Sequence, residues 1–116
     1  VEDELTLRTA ISRYLRRQGY EVDAVATGAA ALELLNNREF DLILLDLRLQ
    51  DMPGSDVYRS LIEGNAAMAA RVVFMTGDLS RPAAAEFVYA TKRPVIAKPF
   101  QLAELDALIR ESLVRP

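Results

Sequence analysis

Three short runs of this chain are apolar on both side-chain parities, and each ends in polar residues. Leu42-Ile43-Leu44-Leu45 lies between Asp41 and Asp46, Val72-Val73-Phe74-Met75 leads into Thr76-Gly77-Asp78, and Val95-Ile96-Ala97 leads into Lys98-Pro99-Phe100. Runs this short do not make helices, and the lack of alternation predicts strands covered on both faces, as in a parallel sheet. A further segment, Tyr20 to Ala26, alternates through Val22 and Val25 and is expected to be a short strand.

Helical spacing fills the intervals. Leu7, Ala10, Ile11, Tyr14 and Leu15 form one apolar stripe ending at Gly19, a usual C-terminal cap. Thr27 caps a second helix through Ala31, Leu34 and Leu35, stopped by Asn36-Asn37. Beyond the Pro53-Gly54 turn, Ser55 opens a third helix with Val57, Tyr58, Leu61 and Ile62 inward and Gly64-Asn65 as its stop. Ser80 and Pro82 open a fourth through Ala85, Val88 and Tyr89, and a last helix turns Leu102, Leu105, Leu108, Ile109 and Leu113 inward.

Alternating strands and helices predict a doubly wound α/β fold with helices on both faces and right-handed crossovers. Chemistry in such sheets gathers outside the carboxyl ends of the strands, which brings Asp46, Thr76 and Lys98 to one edge. The chain opens at Val1, without an initiator methionine, directly at Glu2-Asp3-Glu4. A strand is expected in front of these acids and to be largely missing from a fragment; Glu2 and Asp3 would end it.

Composition narrows the chemistry. At 116 residues the chain is expected to form one domain, residues 1–116, with 51% apolar and 27% charged residues, as in an ordinary globule. A net charge of −3 gives no general affinity for nucleic acid or anionic membrane. Arginine outnumbers lysine twelve to two, which makes Lys98 and Lys92 conspicuous. With neither cysteine nor histidine, thiolate metal sites, disulfides and histidine catalysis are excluded. Carboxylates, hydroxyls, lysine and backbone remain, a donor set that favours a hard cation such as magnesium. No membrane-length apolar run or signal peptide is visible, so a cytoplasmic setting is expected.

If Glu2, Asp3 and Asp46 meet, their mutual repulsion calls for a cation. Magnesium there could hold an incoming phosphoryl group in line with Asp46 while Lys98 and the Thr76 hydroxyl contact its oxygens. A carboxylate nucleophile would yield an aspartyl phosphate. Read blandly, Asp46 is a loop-starting carboxylate, Glu2-Asp3-Glu4 an acidic first helical turn, Thr76 a turn hydroxyl and Lys98 a solvated charge. Asp41, Asp51 and Asp56 read as surface residues. Tyr14, Tyr58 and Phe74 read as packing, with Phe87 or Tyr89 left to face a partner.

The acid pair Glu2-Asp3, the strand ending in Asp46, the spacing from Asp46 to Gly54, the Thr76-Gly77 step and Lys98-Pro99-Phe100 together resemble a receiver domain of two-component signalling over essentially the whole chain. The resemblance implies a flavodoxin-like, five-stranded parallel sheet in the order 2-1-3-4-5. It further implies that Asp46 accepts a phosphoryl group from a phosphohistidine on a histidine kinase or histidine phosphotransfer protein, and that the domain's own site catalyses this transfer and the later hydrolysis. Asp3, Asp46 and the backbone carbonyl of Arg48 would hold Mg2+, with Glu2 on a metal-bound water. Thr76 and Lys98 would contact the phosphoryl group, and the Lys98-Pro99 bond is expected to be cis.

Three departures from the family pattern stand out. Gln50 occupies a position that is commonly proline, Gly77 one that is commonly alanine, and Val95 one that is usually an aromatic reporting on the phosphoryl group. The segment Arg93 to Phe100 is most similar to receivers of hybrid sensor histidine kinases, which is the expected parent. Arg48 and Asp78 would flank the mouth of the site and modulate phosphoryl lifetime. A pseudo-receiver, acting as a phosphorylation-independent interaction module, is the alternative, and a homodimer is left open. A flavodoxin-like cofactor binder would need a glycine-rich phosphate loop that this sequence lacks, and a small-substrate phosphatase would need a cap.

Overall fold

The computed structural model describes residues 1–77 and 79–114. Its elements are α1 (Leu5–Arg17), α2 (Gly28–Asn37), β1 (Ile43–Asp46), α3 (Gly54–Gly64), α4 (Ala66–Ala69), β2 (Val72–Thr76), α5 (Pro82–Thr91), β3 (Val95–Ala97) and α6 (Leu102–Val114). The strands lie in the order β1-β2-β3, all parallel, with Ile43 opposite Val72, Asp46 opposite Met75 and Thr76 opposite Ala97. This is the flavodoxin-like α/β architecture with a parallel sheet.

Each strand is apolar on both faces because each face is covered. Ile43, Leu45, Val72 and Phe74 pack with Leu35, Val57, Tyr58, Leu61, Met68 and Val88, from α2 to α5. Met75 and its half-buried neighbours Leu44 and Ile96 pack instead with Ile11 and Leu15 of α1 and Leu105 and Ile109 of α6. The single strand period of two therefore sorts the core into two layers. Tyr58, Phe74 and Phe87 meet edge-to-face, with ring centroids 5.2 to 5.9 Å apart, and this contact locks α3 and α5 onto β2.

Several expectations are corrected. Residues 20–26 form no strand: of their backbone, the Val25 carbonyl accepts from Glu2 N at 3.1 Å, and a strand needs a longer ladder than one bond. Three strands are therefore described rather than five. Val1 lies against the outer edge of β1, its nitrogen donating to Leu44 O at 2.7 Å and its carbonyl accepting from Asp46 N at 3.1 Å. The lateral order is then residues 20–26, Val1, β1, β2, β3, in keeping with 2-1-3-4-5.

The third helix starts at Gly54 with Pro53 as its cap, not at Ser55, and the fourth has Arg81 as its cap and Pro82 as its first residue. α4 was not anticipated, since a four-residue turn shows no periodicity. Ile62 and Leu113 are exposed, at 50% and 40% of their surface, although their spacing put them inward, and of the pair Phe87 and Tyr89 it is Tyr89, at 83%, that faces outward. No helix among the described residues is long and apolar enough to cross a membrane.

Candidate functional site

The carboxyl ends of the strands carry the candidate residues. Asp46 ends β1, Thr76 ends β2, and Lys98 follows β3; Asp46 and Thr76 are buried, and Lys98 N donates to Thr76 O at 2.7 Å. The Lys98-Pro99 peptide bond is cis. Glu2 and Asp3 reach the same edge through Val1, which lies alongside β1. One carboxylate oxygen from each of Glu2, Asp3 and Asp46 falls within 4.8 Å of the others.

Lys98 Nζ bridges two of these acids, at 2.5 Å from Glu2 Oε1 and 2.6 Å from Asp46 Oδ2. The other Asp46 oxygen, Oδ1, accepts from the Arg48 amide at 3.0 Å. Glu2 Oε2 is buried and has no hydrogen-bond partner among the described residues. Burial, with the nearby Asp46 carboxylate, pushes Glu2 up to about 7 despite the opposing pull of Lys98. Burial also disfavours the charged form of Lys98, but Asp46 and Glu2 together outweigh it and hold the ammonium above its usual range.

Of the remaining candidates, Arg48 turns its side chain to solvent and pairs by backbone with Pro53 across the loop after β1. Val95 is half-buried beside Phe74 on the α5 side of the sheet. Pro99 is exposed. Asp78 lies outside the described residues.

One contributor, Arg8, had no signal in the sequence, and two, Glu4 at the start of the first helix and Gly54 after the loop, were legible there only in part. Arg8 Nη1 donates to the Glu2 carbonyl at 3.0 Å and lies 3.4 Å from that of Asp3, so α1 grips the acidic turn from below. Glu4 caps α1, accepting from Thr6 N at 3.1 Å and Leu7 N at 2.7 Å, and thereby points away from the cluster. Gly54 lies so close to β1 that a Cβ there would meet Asp46 O at 2.1 Å. Glycine after a proline turn hinted at the last; Arg8 gave no signal, because its partners are backbone atoms.

An all-oxygen donor set suits a hard cation, and the buried, unpartnered Glu2 Oε2 is the atom such an ion would satisfy, so these residues fit magnesium. The fold and the site define a class: a doubly wound α/β domain with a carboxylate cluster and a lysine at the carboxyl edge of its sheet. The sequence model of the response regulator receiver domain matches residues 1–110, and the chain belongs to that family, the phosphoacceptor domain of two-component signalling. It is 38% identical over 112 residues to the Streptomyces coelicolor transcriptional regulatory protein CutR, covering 95% of this chain and 50% of CutR. It is 33% identical to the Vibrio campbellii luminescence regulatory protein LuxO, covering 97% of this chain and 24% of LuxO. The chain thus spans at most about half of these relatives. The receiver domain of a Pseudomonas aeruginosa sensor histidine kinase, solved with magnesium coordinated in its active-site cleft, superposes with a TM-score of 0.88 at 27% identity, covering 99% of this chain and 94% of that one.

Proposed function

We propose that Asp46 is the phosphoacceptor and that its phosphorylation by a phosphohistidine, on a histidine kinase or phosphotransfer protein, depends on Mg2+ held by Asp3, Asp46 and the Arg48 carbonyl, with Glu2 on a metal-bound water. The reading is carried by the convergence of Glu2, Asp3, Asp46 and Lys98 on one sheet edge, with Glu2 Oε2 buried and unpartnered. When bound, magnesium supplies charge neutralisation and a ligand position for a phosphoryl oxygen.

The chain's own residues do the rest. A hydrogen bond from the Arg48 amide orients the Asp46 carboxylate. An Asp46 oxygen forms its bond to phosphorus as the phosphorus–nitrogen bond breaks; the imidazole nitrogen keeps that electron pair and takes a proton from solvent. Lys98, already against Asp46, balances the charge added there, and the Thr76 hydroxyl at the end of β2 donates to a second phosphoryl oxygen. In hydrolysis, water attacks phosphorus, the bond to Asp46 breaks and inorganic phosphate leaves. Arg48 and Asp78 modulate access of that water.

The parent protein is read as a hybrid sensor histidine kinase, with the domain on the cytoplasmic side. Val95 in place of an aromatic reporter and the likeness to a sensor-kinase receiver support this, whereas CutR favours a transcriptional regulator, whose DNA binding would belong to another domain. A DNA-binding domain encoded downstream refutes the hybrid reading. For the acceptor, the protein is incubated with Mg2+ and acetyl phosphate and its intact mass measured. One added phosphoryl group is expected on the wild type and none on Asp46→Asn. An unmodified wild type refutes the proposal and leaves the interaction-module alternative.

A further inference from the structure

The loop after β1, residues 47–53, is fastened at both its base and its tip. At the base, Gly54 N donates to Leu47 O at 2.9 Å, Arg48 pairs with Pro53, and the Arg48 amide reaches Asp46 Oδ1 at 3.0 Å. At the tip, Asp51 reaches across to α2: Oδ1 accepts from Gly28 N and Oδ2 from Ala29 N, each at 2.9 Å. Met52 follows and fills the space beside Gly28, where a Cβ would sit 2.6 Å from its Cγ and 2.7 Å from its Sδ.

α2 already has a cap, because Thr27 Oγ1 accepts from Ala30 N at 3.1 Å. Asp51 takes the two amides that this cap leaves over, at the end of the helix where negative charge is favoured. Those two bonds hold its carboxyl below the usual aspartate range. Gln50, immediately before it, leaves φ unconstrained where a proline ring would fix it, so this loop has more backbone freedom to lose.

We infer that Asp51 is a positioning residue for the phosphoacceptor site: by gripping the first two amides of α2 it holds loop 47–53 on the path that keeps the Arg48 backbone against Asp46. The inference rests on the phosphoacceptor reading. Asp51 touches neither the phosphoryl group nor the metal; it acts through Arg48, whose amide orients the acceptor and whose carbonyl is a proposed metal ligand.

Asp51→Ala, Asp51→Asn and Thr27→Ala test it, using Mg2+ titration followed on backbone amide resonances and acetyl phosphate labelling followed by intact mass. Asp51→Ala is expected to shift the Arg48 amide resonance even without Mg2+ and to weaken Mg2+ binding about tenfold, the size of effect seen when outer-shell partners of a metal site are lost. Labelling should slow accordingly. Asp51→Asn, which keeps one acceptor oxygen, should recover most of both, and Thr27→Ala, which loosens α2 without touching the loop, should leave both as in the wild type. The inference is overturned if Asp51→Ala leaves the Arg48 resonance and Mg2+ affinity unchanged, or if Thr27→Ala reproduces its losses. If wild type takes no phosphate, the acceptor reading fails by itself, and the Arg48 resonance in the Mg2+-free protein still decides what Asp51 holds.

Discussion

Replacing Lys98 by methionine removes the ammonium that bridges Glu2 and Asp46 while keeping the length of the side chain. At 2.6 Å and an effective dielectric constant of about 20, the contact with Asp46 Oδ2 is worth about 6 kcal/mol before desolvation. Much of that is offset by the cost of drawing charges from water, and removing one partner of a buried pair typically costs about 3–5 kcal/mol. The lower end is expected here, because Glu2, already pushed up to about 7, can take a proton and relieve the repulsion. Urea unfolding followed by circular dichroism at pH 7.5, with chelator present, should therefore show a loss of about 3 kcal/mol. In Mg2+ at a hundredfold excess over its dissociation constant the native state gains about 2.7 kcal/mol, and the gain should be larger for the variant, in which no lysine competes for the carboxylates. If the variant binds Mg2+ about tenfold tighter, it gains about 1.4 kcal/mol more at the same Mg2+ concentration, and the gap between wild type and Lys98→Met shrinks by about half. A loss below about 1 kcal/mol in chelator, the size of a surface ion pair, would refute the electrostatic account, as would a gap that Mg2+ leaves unchanged.

Glu2 sets a pH dependence with the same cause. Its folded value, raised from 4.5 to about 7, means that the folded state binds more protons than the unfolded chain between those two values. Its contribution to stability is complete below pH 4.5 and is lost as pH rises toward 7; Glu2→Gln should flatten that slope in Mg2+-free urea titrations, and an unchanged slope would count against it. Gly54→Ala would place a methyl group 2.1 Å from Asp46 O and 2.8 Å from Leu47 Cα, both backbone atoms that must move. A loss of about 2–3 kcal/mol in urea and a sharp fall in labelling are expected, and wild-type values for both would show that the close approach is not needed. Phe74→Ala empties the centre of the Tyr58–Phe87 contact and should cost about 3–5 kcal/mol, read from the urea midpoint.

Individual elements show how far local pattern reaches. The run Leu42 to Leu45 was legible as a strand because cover on both faces erases alternation, and the place of Asp46 at the carboxyl edge of the sheet was legible because the run ends there. Ile62 and Leu113 fit the same kind of pattern and are exposed, because spacing says which face of a helix is apolar and not how far a neighbour extends over it. Asp51 read as a surface carboxylate and is exposed, yet it ties two elements together through amides that no side-chain pattern encodes.

The sequence by itself determined the three buried strands, their parallel sheet and the chemical identity of the edge: carboxylates, a hydroxyl and a lysine, with no thiol or imidazole. These follow from composition and short-range periodicity, which are properties of neighbouring residues. The tertiary structure alone decided that Lys98 lies between Glu2 and Asp46, 96 and 52 residues away, that Glu2 Oε2 is buried with no hydrogen-bond partner among the described residues, that Arg8 grips the turn carrying Glu2 and Asp3, and that Asp51 ties loop 47–53 to α2. Those contacts depend on the register β1-β2-β3 and on backbone acceptors and donors, and neither is written in the spacing of side chains.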